Sequence, residues 1–264
     1  MKEVVVAILA KDKAYCLPFY LECLLYQTYP KDKIHLYIRT NDNKDNTASI
    51  LSVFLKAYGH QYASVHFDDS PIDKSLSEYK EHEWNSHRFS ILGKIRQESI
   101  DYAIQLNADY YVIDCDNFVV PNSLAEMQKI SDLGICGPML RLSDSHYYSN
   151  FHNLSCPNGY YQQNSEYFPI LSRNIIGLIE VSTIHCTYYI ANRYLKEVTY
   201  NDGSGRYEYA IFSENLRNKN IPQYLDNRVF YGFLFLNDQI EMPFASFIRK
   251  YWLKEYSWMS KNNS

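Results

Sequence analysis

Seven consecutive apolar residues, Val4-Val5-Val6-Ala7-Ile8-Leu9-Ala10, stand almost at the start of the chain with nothing polar among them. A strand with one wetted face alternates apolar and polar side chains, whereas an unbroken run needs cover on both faces. That requirement points to a mostly parallel sheet, because parallel strands are joined by crossovers that lay helices on the sheet. The next segments agree. Pro18 suits a first helical turn, and Phe19, Leu21, Leu24 and Leu25 recur at helical spacing until Tyr29-Pro30. Ile34 to Thr40 reads as a second strand. Asn46-Thr47 is placed to cap a helix carrying Ile50, Leu51, Phe54 and Leu55 and ending at Gly59, and Ser64 to Phe67 reads as a third strand. This β-α-β-α-β opening is the arrangement of nucleotide-binding sheets.

Asp68 to Glu83 is polar and irregular and reads as a surface loop. Trp84 to Asn107 returns to helical periodicity, Ala108 to Ile113 is a strand, Pro121 to Leu133 a helix and Gly134 to Leu140 another buried strand. From Arg141 to Asn174 periodicity gives way to aromatics. Ile179 to Ile190 reads as a strand interrupted by His185, Arg206 to Asn218 as a helix, and an aromatic-rich tail follows Asp226. With 264 residues, no repeat and no low-complexity linker, one domain over 1–264 is expected. Its residues 1–140 form one half and 141–264, built from insertions, the other.

The net charge of −4 favours neither nucleic acid nor an anionic membrane as partner. No segment has the length of a membrane span, and the apolar run is too short and too soon charged, at Lys11, Asp12 and Lys13, for a signal peptide. Six cysteines without C-x-x-C spacing indicate neither zinc nor a dithiol, so reduced thiols are expected. The 26 tyrosines suit a surface that stacks on sugars or bases, and suit coding bias equally well.

The strand Ala108 to Ile113 ends in Asp114-Cys115-Asp116-Asn117. Two carboxylates one residue apart, at the carboxyl edge of an α/β sheet, supply hard oxygen ligands for a divalent cation bridging protein to diphosphate. The pair therefore suggests a metal-dependent nucleotide-sugar site. Taken alone it fits a solvated loop or a helix N-terminus just as well.

Several further segments fall in a recognisable order: Val5 to Ala10, Asn41-Asp42-Asn43-Lys44-Asp45-Asn46-Thr47, Ala108 to Asn117, Tyr147-Tyr148-Ser149-Asn150-Phe151, Gly159-Tyr160-Tyr161, Glu166-Tyr167-Phe168-Pro169 and His185-Cys186-Thr187. Together they resemble the amino-terminal catalytic domain of the procollagen galactosyltransferases and, more distantly, the glycosyltransferase domain of the multifunctional lysyl hydroxylases. The resemblance runs from Val4 to about Gly232. It implies a GT-A fold, a Rossmann-like mixed, mostly parallel sheet flanked by helices. It also implies a UDP-sugar donor, UDP-glucose or UDP-galactose, and a divalent cation, Mn2+. The acceptor class is collagen hydroxylysine or galactosylhydroxylysine, and residues 1–140 become the nucleotide-sugar half and 141–264 the acceptor half. The endoplasmic reticulum lumen follows from the resemblance, whereas the chain, showing no leader or carboxyl-terminal retention signal, reads as cytoplasmic by default.

On this reading the metal ligands are Asp116, first, and Asp114, which alternatively binds the ribose, with His185 as a candidate third; Asp238 is a weaker one. The donor set is Ala7, Leu9, Asp42, Arg96, Asp114 and Cys115, with the ends of the first strands holding uracil and ribose. Asp42 fits an Asx turn nearly as well, and Arg96 a solvated helical position. His185, on an apolar strand, is either a core residue or a catalytic group contacting sugar or metal. Glu208 is the candidate base. The galactosyltransferases carry two adjacent aspartates there, where this chain has Tyr207-Glu208. An inverting transfer needs such a base and a retaining one does not, and a glutamate at a helix start is also a common placement. Tyr148, Asn150 and Tyr161 are the expected acceptor contacts, and the acidic residues of 68–83 are a solvated face or meet a basic acceptor. Two other classes stay open: a catalytically silent UDP-sugar or collagen-binding module, and an aspartyl-phosphate phosphatase. The latter is disfavoured because its Asp-x-Asp ends a domain's first strand.

Overall fold

The structure, a computed structural model, describes residues 1–72, 85–142 and 148–235. The acidic positions Glu78, Glu81 and Glu83, the helix start at Trp84, the ring of Tyr147, the candidate Asp238 and the aromatic tail from 236 lie outside the described residues.

The unbroken apolar run forms β1 (Val4–Ala10), followed by α1 (Leu17–Leu25), β2 (Ile34–Thr40), α2 (Thr47–Tyr58) and β3 (Ser64–Asp68). Alternate β1 side chains enter opposite cores. Val4, Val6 and Ile8 meet Leu17 and Leu21 of α1 and Leu51 of α2, whereas Val5 and Ala7 belong with Ile100 and Ala103 on the other face. Val4 through Ile8 have no exposed surface, which is what an uninterrupted apolar run requires. Each buried valine or isoleucine there contributes about 1.5–3 kcal/mol.

The chain then crosses back through α3 (Ser86–Gln105) to β4 (Asp109–Ile113). β5 (Asn117–Val119), α4 (Ser123–Ile130), β6 (Ile135–Pro138), β7 (Phe151–His152) and α5 (Tyr167–Leu171) follow. The last elements are β8 (Leu178–Glu180), β9 (Thr183–Ile184), β10 (Thr187–Ile190), α6 (Asn192–Leu195), α7 (Glu208–Asn218), β11 (Gln223–Asp226) and β12 (Gly232–Leu234). Eight strands form one sheet in the order β3-β2-β1-β4-β10-β6-β11-β8. β1, β2, β3 and β4 pair in parallel, as do β6 and β11, while β10 runs against its neighbours and β8 against β11. β5 pairs with β12 and β7 with β9 in two small ribbons.

The expected single strand from Ile179 to Ile190 is instead three short ones. Cys186 has φ 65°, and Thr187 N donates back across it to His185 O at 2.7 Å, a reversal no strand contains. Each piece then pairs with a different partner.

The order of the first four strands matters most for function. From β1 the chain steps outward to β2 and β3, then returns to place β4 on the other side of β1. Neighbouring connections therefore diverge at the carboxyl ends of β1 and β4. Such a switch point opens the crevice in which α/β sheets bind ligands.

Candidate functional site

Three loops meet at that crevice: residues 11–16 after β1, 41–46 after β2 and 114–116 after β4. The first two are tied together reciprocally. Asp12 N donates to Asn43 Oδ1 at 2.9 Å and Lys44 N to Asp12 Oδ1 at 2.6 Å. Lys13 N donates to Thr47 Oγ1 at 2.7 Å and Ala14 N to Asp45 Oδ2 at 2.9 Å. Asp12 and Asp42 adopt the left-handed backbone, at φ 52° and 44°, which aspartate tolerates better than most residues. Asn46 occupies the N-cap position of α2 without a capping hydrogen bond; Asp45 Oδ1 accepts from Thr47 N instead. The turn read as a helix cap is thus spent on joining two loops.

Asp42 is exposed in this turn. Its carboxylate accepts from Asn41 Nδ2 at 3.0 Å and Ile72 N at 3.3 Å, and the Asn41 bond leads the causes that hold its pKa low. Ala7 lies mid-strand with no exposed surface, between Tyr37 of β2 and Val112 of β4, while Leu9 is partly open near the strand end. Cys115 is fully buried: its thiol points at Leu9 O, 3.6 Å away, and its carbonyl accepts from Cys16 Sγ at 3.3 Å. Its contribution to a ligand would come from its backbone. All six cysteines are free thiols.

The two carboxylates of the acidic pair are held differently. Asp114 receives Arg96 Nη2 on both oxygens, each at 3.1 Å. Asp116 receives Lys13 Nζ on Oδ2 at 2.7 Å. Arg96 is 6% exposed and also faces Glu208 Oε1, 3.4 Å from its Nε. Gly93, one turn earlier on α3, lets that helix lie close against the chain at Tyr200: a Cβ there would stand 2.7 Å from Tyr200 O. Burial pushes the Asp114 and Glu208 carboxyls up, and the guanidinium opposes it. Burial works against the charge of Arg96, but Asp114 first, with Tyr188 and Glu208, keeps the guanidinium firmly protonated. Its Nη1 is buried with no partner among the described residues.

Glu208, expected as a base, is itself 6% exposed and engaged with Arg96. In this position it balances a buried cation. Asn150, expected at the acceptor, is fully buried. Its amide donates to Pro138 O at 2.9 Å and Thr187 O at 3.4 Å and accepts from Leu140 N at 2.8 Å. It braces backbone, which removes it from the acceptor-facing set.

Asp114 N donates to Cys186 O at 3.0 Å, so the reversal at 185–187 sits against the acidic pair. His185 is nearly buried, with Nδ1 2.8 Å from Cys186 Sγ. Its ring lies beside Tyr148 (6.0 Å between centroids), His152 (5.2 Å) and Tyr209 (5.3 Å). Burial, then the charges of His152 and Arg96, hold its pKa well below the ordinary value. Tyr161 adds its ring to His152 at 5.2 Å. Tyr148 and Tyr161 are 40% and 41% exposed. His152 and Tyr209 complete an aromatic wall with them, and neither stood out in the sequence; nor did Lys13, 103 residues from the carboxylate it pairs with. Only their place beside expected residues marks them.

Among the described residues, no three His, Cys, Asp or Glu side chains group as a ready-made metal site. The donor set nonetheless suits a hard cation. Lys13 already places a positive charge on Asp116 Oδ2, and the Asp116 side chain is partly open. A magnesium-like ion is commonly held by one or two carboxylates, with substrate phosphates completing the shell.

A family model described as glycosyltransferase family 25, N-terminal domain, matches residues 1–242. Mouse "Inactive glycosyltransferase 25 family member 3" is 34% identical over 190 residues, covering 71% of this chain and 32% of the relative. Human "Procollagen galactosyltransferase 2" is 31% identical over 244 residues, covering 88% and 38%. The chain thus spans between about a third and two fifths of these relatives' lengths. Among solved structures, Staphylococcus aureus TarS 1–349 in complex with UDP-GlcNAc has a TM-score of 0.55 at 13% identity, covering 92% of this chain and 61% of that one. The Pyrobaculum calidifontis mannosyltransferase PcManGT in complex with GDP-Man and Mn2+ has a TM-score of 0.55 at 11% identity, covering 94% and 61%. These likenesses show a GT-A fold. No helix of the described residues is long and apolar enough to cross a membrane.

Proposed function

The chain belongs to glycosyltransferase family 25, and from that premise we propose that it transfers a hexose, glucose or galactose, from a UDP-sugar to collagen hydroxylysine or galactosylhydroxylysine. The observation that carries this reading is the meeting of Asp114 and Asp116 with the stitched 11–16 and 41–46 loops at the switch point, against an aromatic wall. Residues 1–140 are the donor half, and 148–235 contribute the acceptor wall. The family also sets aside the aspartyl-phosphate phosphatase.

Asp116, with Asp114 behind it, would hold a divalent cation, for which manganese is the choice the resemblance makes. Such an ion supplies Lewis-acid stabilisation of charge on the leaving diphosphate. Asp42 and the strand ends at Leu9 and Asn41 bind uracil and ribose. Tyr148 and Tyr161 present ring faces and phenols to the acceptor, while His152, His185 and Tyr209 back them and exclude water. His185, held neutral, offers a hydrogen bond without adding charge. Because Glu208 is occupied by Arg96, the geometry favours a transfer that needs no protein base, as retaining glucosylation of galactosylhydroxylysine does.

A second reading is a silent UDP-sugar-binding module. It is supported by the cationic partners on both carboxylates and by the mouse relative's printed description as inactive. UDP release measured from UDP-glucose and UDP-galactose, with and without manganese and a collagen acceptor, separates the two. Acceptor-stimulated release, with the linkage read by mass spectrometry and glycosidase sensitivity, is expected. UDP binding with no acceptor-stimulated release would establish the silent module.

A further inference from the structure

Two cations serve the acidic pair, and they are built for different duties. Arg96 is enclosed, and its Nη2 donates to both Asp114 oxygens while its Nε faces a second carboxylate. Lys13 touches one oxygen of Asp116, and its side chain and that of Asp116 are 27% and 23% exposed. The root of Lys13 is fixed. Its backbone N is held by Thr47 Oγ1 at 2.7 Å, and its carbonyl accepts from Cys16 N at 3.1 Å and Leu17 N at 3.0 Å, at the entry to α1. Beyond that root, four methylenes carry the ammonium past the Tyr15 ring, 5.7 Å from its centroid, with Tyr15 Oη 3.4 Å away. A lysine is a compact point charge on a flexible stem, with three donors that turn to new acceptors without a fixed planar geometry.

We infer that Lys13 is an exchangeable counter-ion of the donor site: it neutralises Asp116 when no divalent cation is there and transfers to the donor's diphosphate when one binds. The inference rests on the metal–diphosphate reading of Asp116. Lys13 Nζ lies 2.7 Å from Asp116 Oδ2, so a divalent ion held by Asp116 would repel the ammonium, and an anionic diphosphate would offer it a new acceptor. Asp116 therefore never faces the crevice without a positive charge, and the cation released by metal binding is reused on the leaving group. Lys13 is thus a residue that both competes with the metal and binds the nucleotide.

Opposite effects of one substitution on two ligands test this. Binding of Mn2+ alone is counted by electron paramagnetic resonance of the free ion, and binding of UDP at saturating Mn2+ by calorimetry, for wild type, Lys13→Met, Lys13→Arg and Asp116→Asn. Lys13→Met keeps the stem and removes the charge, so Mn2+ alone should bind about tenfold tighter and UDP about tenfold weaker. Lys13→Arg, should the methionine variant unfold early, retains UDP binding and keeps Mn2+ affinity at or below wild type. If neutralising Lys13 leaves Mn2+ affinity unchanged, or lowers it together with UDP affinity, the exchange is refuted. If Asp116→Asn leaves Mn2+ binding intact, or neither wild type nor Lys13→Met binds Mn2+, the metal reading of Asp116 fails with it. Loss of Mn2+ in Asp116→Asn alongside an unaffected Lys13→Met sinks only the exchange.

Discussion

Arg96 donates through one nitrogen, Nη2, to both oxygens of Asp114, each at 3.1 Å, and turns its Nε to Glu208 Oε1 at 3.4 Å. One guanidinium therefore balances two carboxylates in a region where Arg96 and Glu208 are nearly enclosed. The arrangement ties α3 and α7 to the end of β4, and it gives Asp114 and Asp116 separate tasks. Asp114 is held by a buried guanidinium, and Asp116 by a partly exposed lysine.

Removing the guanidinium strands two carboxylates beside each other. Arg96→Met should cost about 3–5 kcal/mol of stability in chemical denaturation. Adding Glu208→Gln should recover part of that loss, because it removes one uncompensated charge, so the two substitutions will not add. A double variant at least as unstable as the sum would contradict the charge-balance role of Glu208.

Asn150 and Tyr161 were read together from the sequence and separate in the structure. Asn150→Ala leaves Leu140 N and Pro138 O without their partner in the interior and should cost about 2–4 kcal/mol. Tyr161→Ala, at a half-open ring, should change stability by less than about 1 kcal/mol and raise the acceptor KM, leaving UDP affinity unchanged. Parallel denaturation and acceptor titrations check the pair.

Acid should weaken the fold through the histidines of the wall. Burial lowers the His152 pKa from 6.5 to about 4, and His185 is also held well below its ordinary value. Between those limits the unfolded chain takes up protons that the folded chain refuses. The stability these neutral rings contribute is therefore complete above pH 6.5 and lost as pH falls from 6.5 through 4. His152→Asn should flatten the slope of unfolding free energy over that window by up to about 1.4 kcal/mol per pH unit. An unchanged slope would show that His152 is not buried as described.

Asp42 stands at φ 44° and is exposed in the 41–46 loop. Asparagine tolerates that backbone, so Asp42→Asn removes the charge without the strain alanine would add. UDP affinity should fall about tenfold at unchanged thermal stability. Unchanged affinity would leave Asp42 as a turn residue only.

What could be read in the chain followed how local the cause was. Val4–Ala10 and Ile34–Thr40 emerge with the expected ends, the first because an unbroken apolar run needs cover on both faces, the second although it buries His35, Arg39 and Thr40 among its apolar residues. The acidic pair falls at the end of β4 for the same reason, as a strand cannot continue buried into two carboxylates. Arg96 was visible as a basic position but not as the partner of Asp114 and Glu208. The break at Cys186 was visible only as an odd histidine in an apolar segment, since a positive φ at cysteine has no sequence signal. Asn150 misled because a polar residue among tyrosines reads as surface, and its burial depends on carbonyls 12 and 37 residues away. Lys13 belonged to a charged stretch useful only for excluding a signal peptide. Its partner is chosen by the return of the chain through α3, which no local pattern encodes.

The most direct measurement of the central claim is UDP-sugar turnover by Asp116→Ala beside wild type, with manganese and with chelator, at matched thermal unfolding. The account predicts manganese-dependent turnover in wild type, abolished in Asp116→Ala, with the two proteins unfolding within a few degrees of each other. Turnover that survives in Asp116→Ala, or that is indifferent to manganese in wild type, would contradict it.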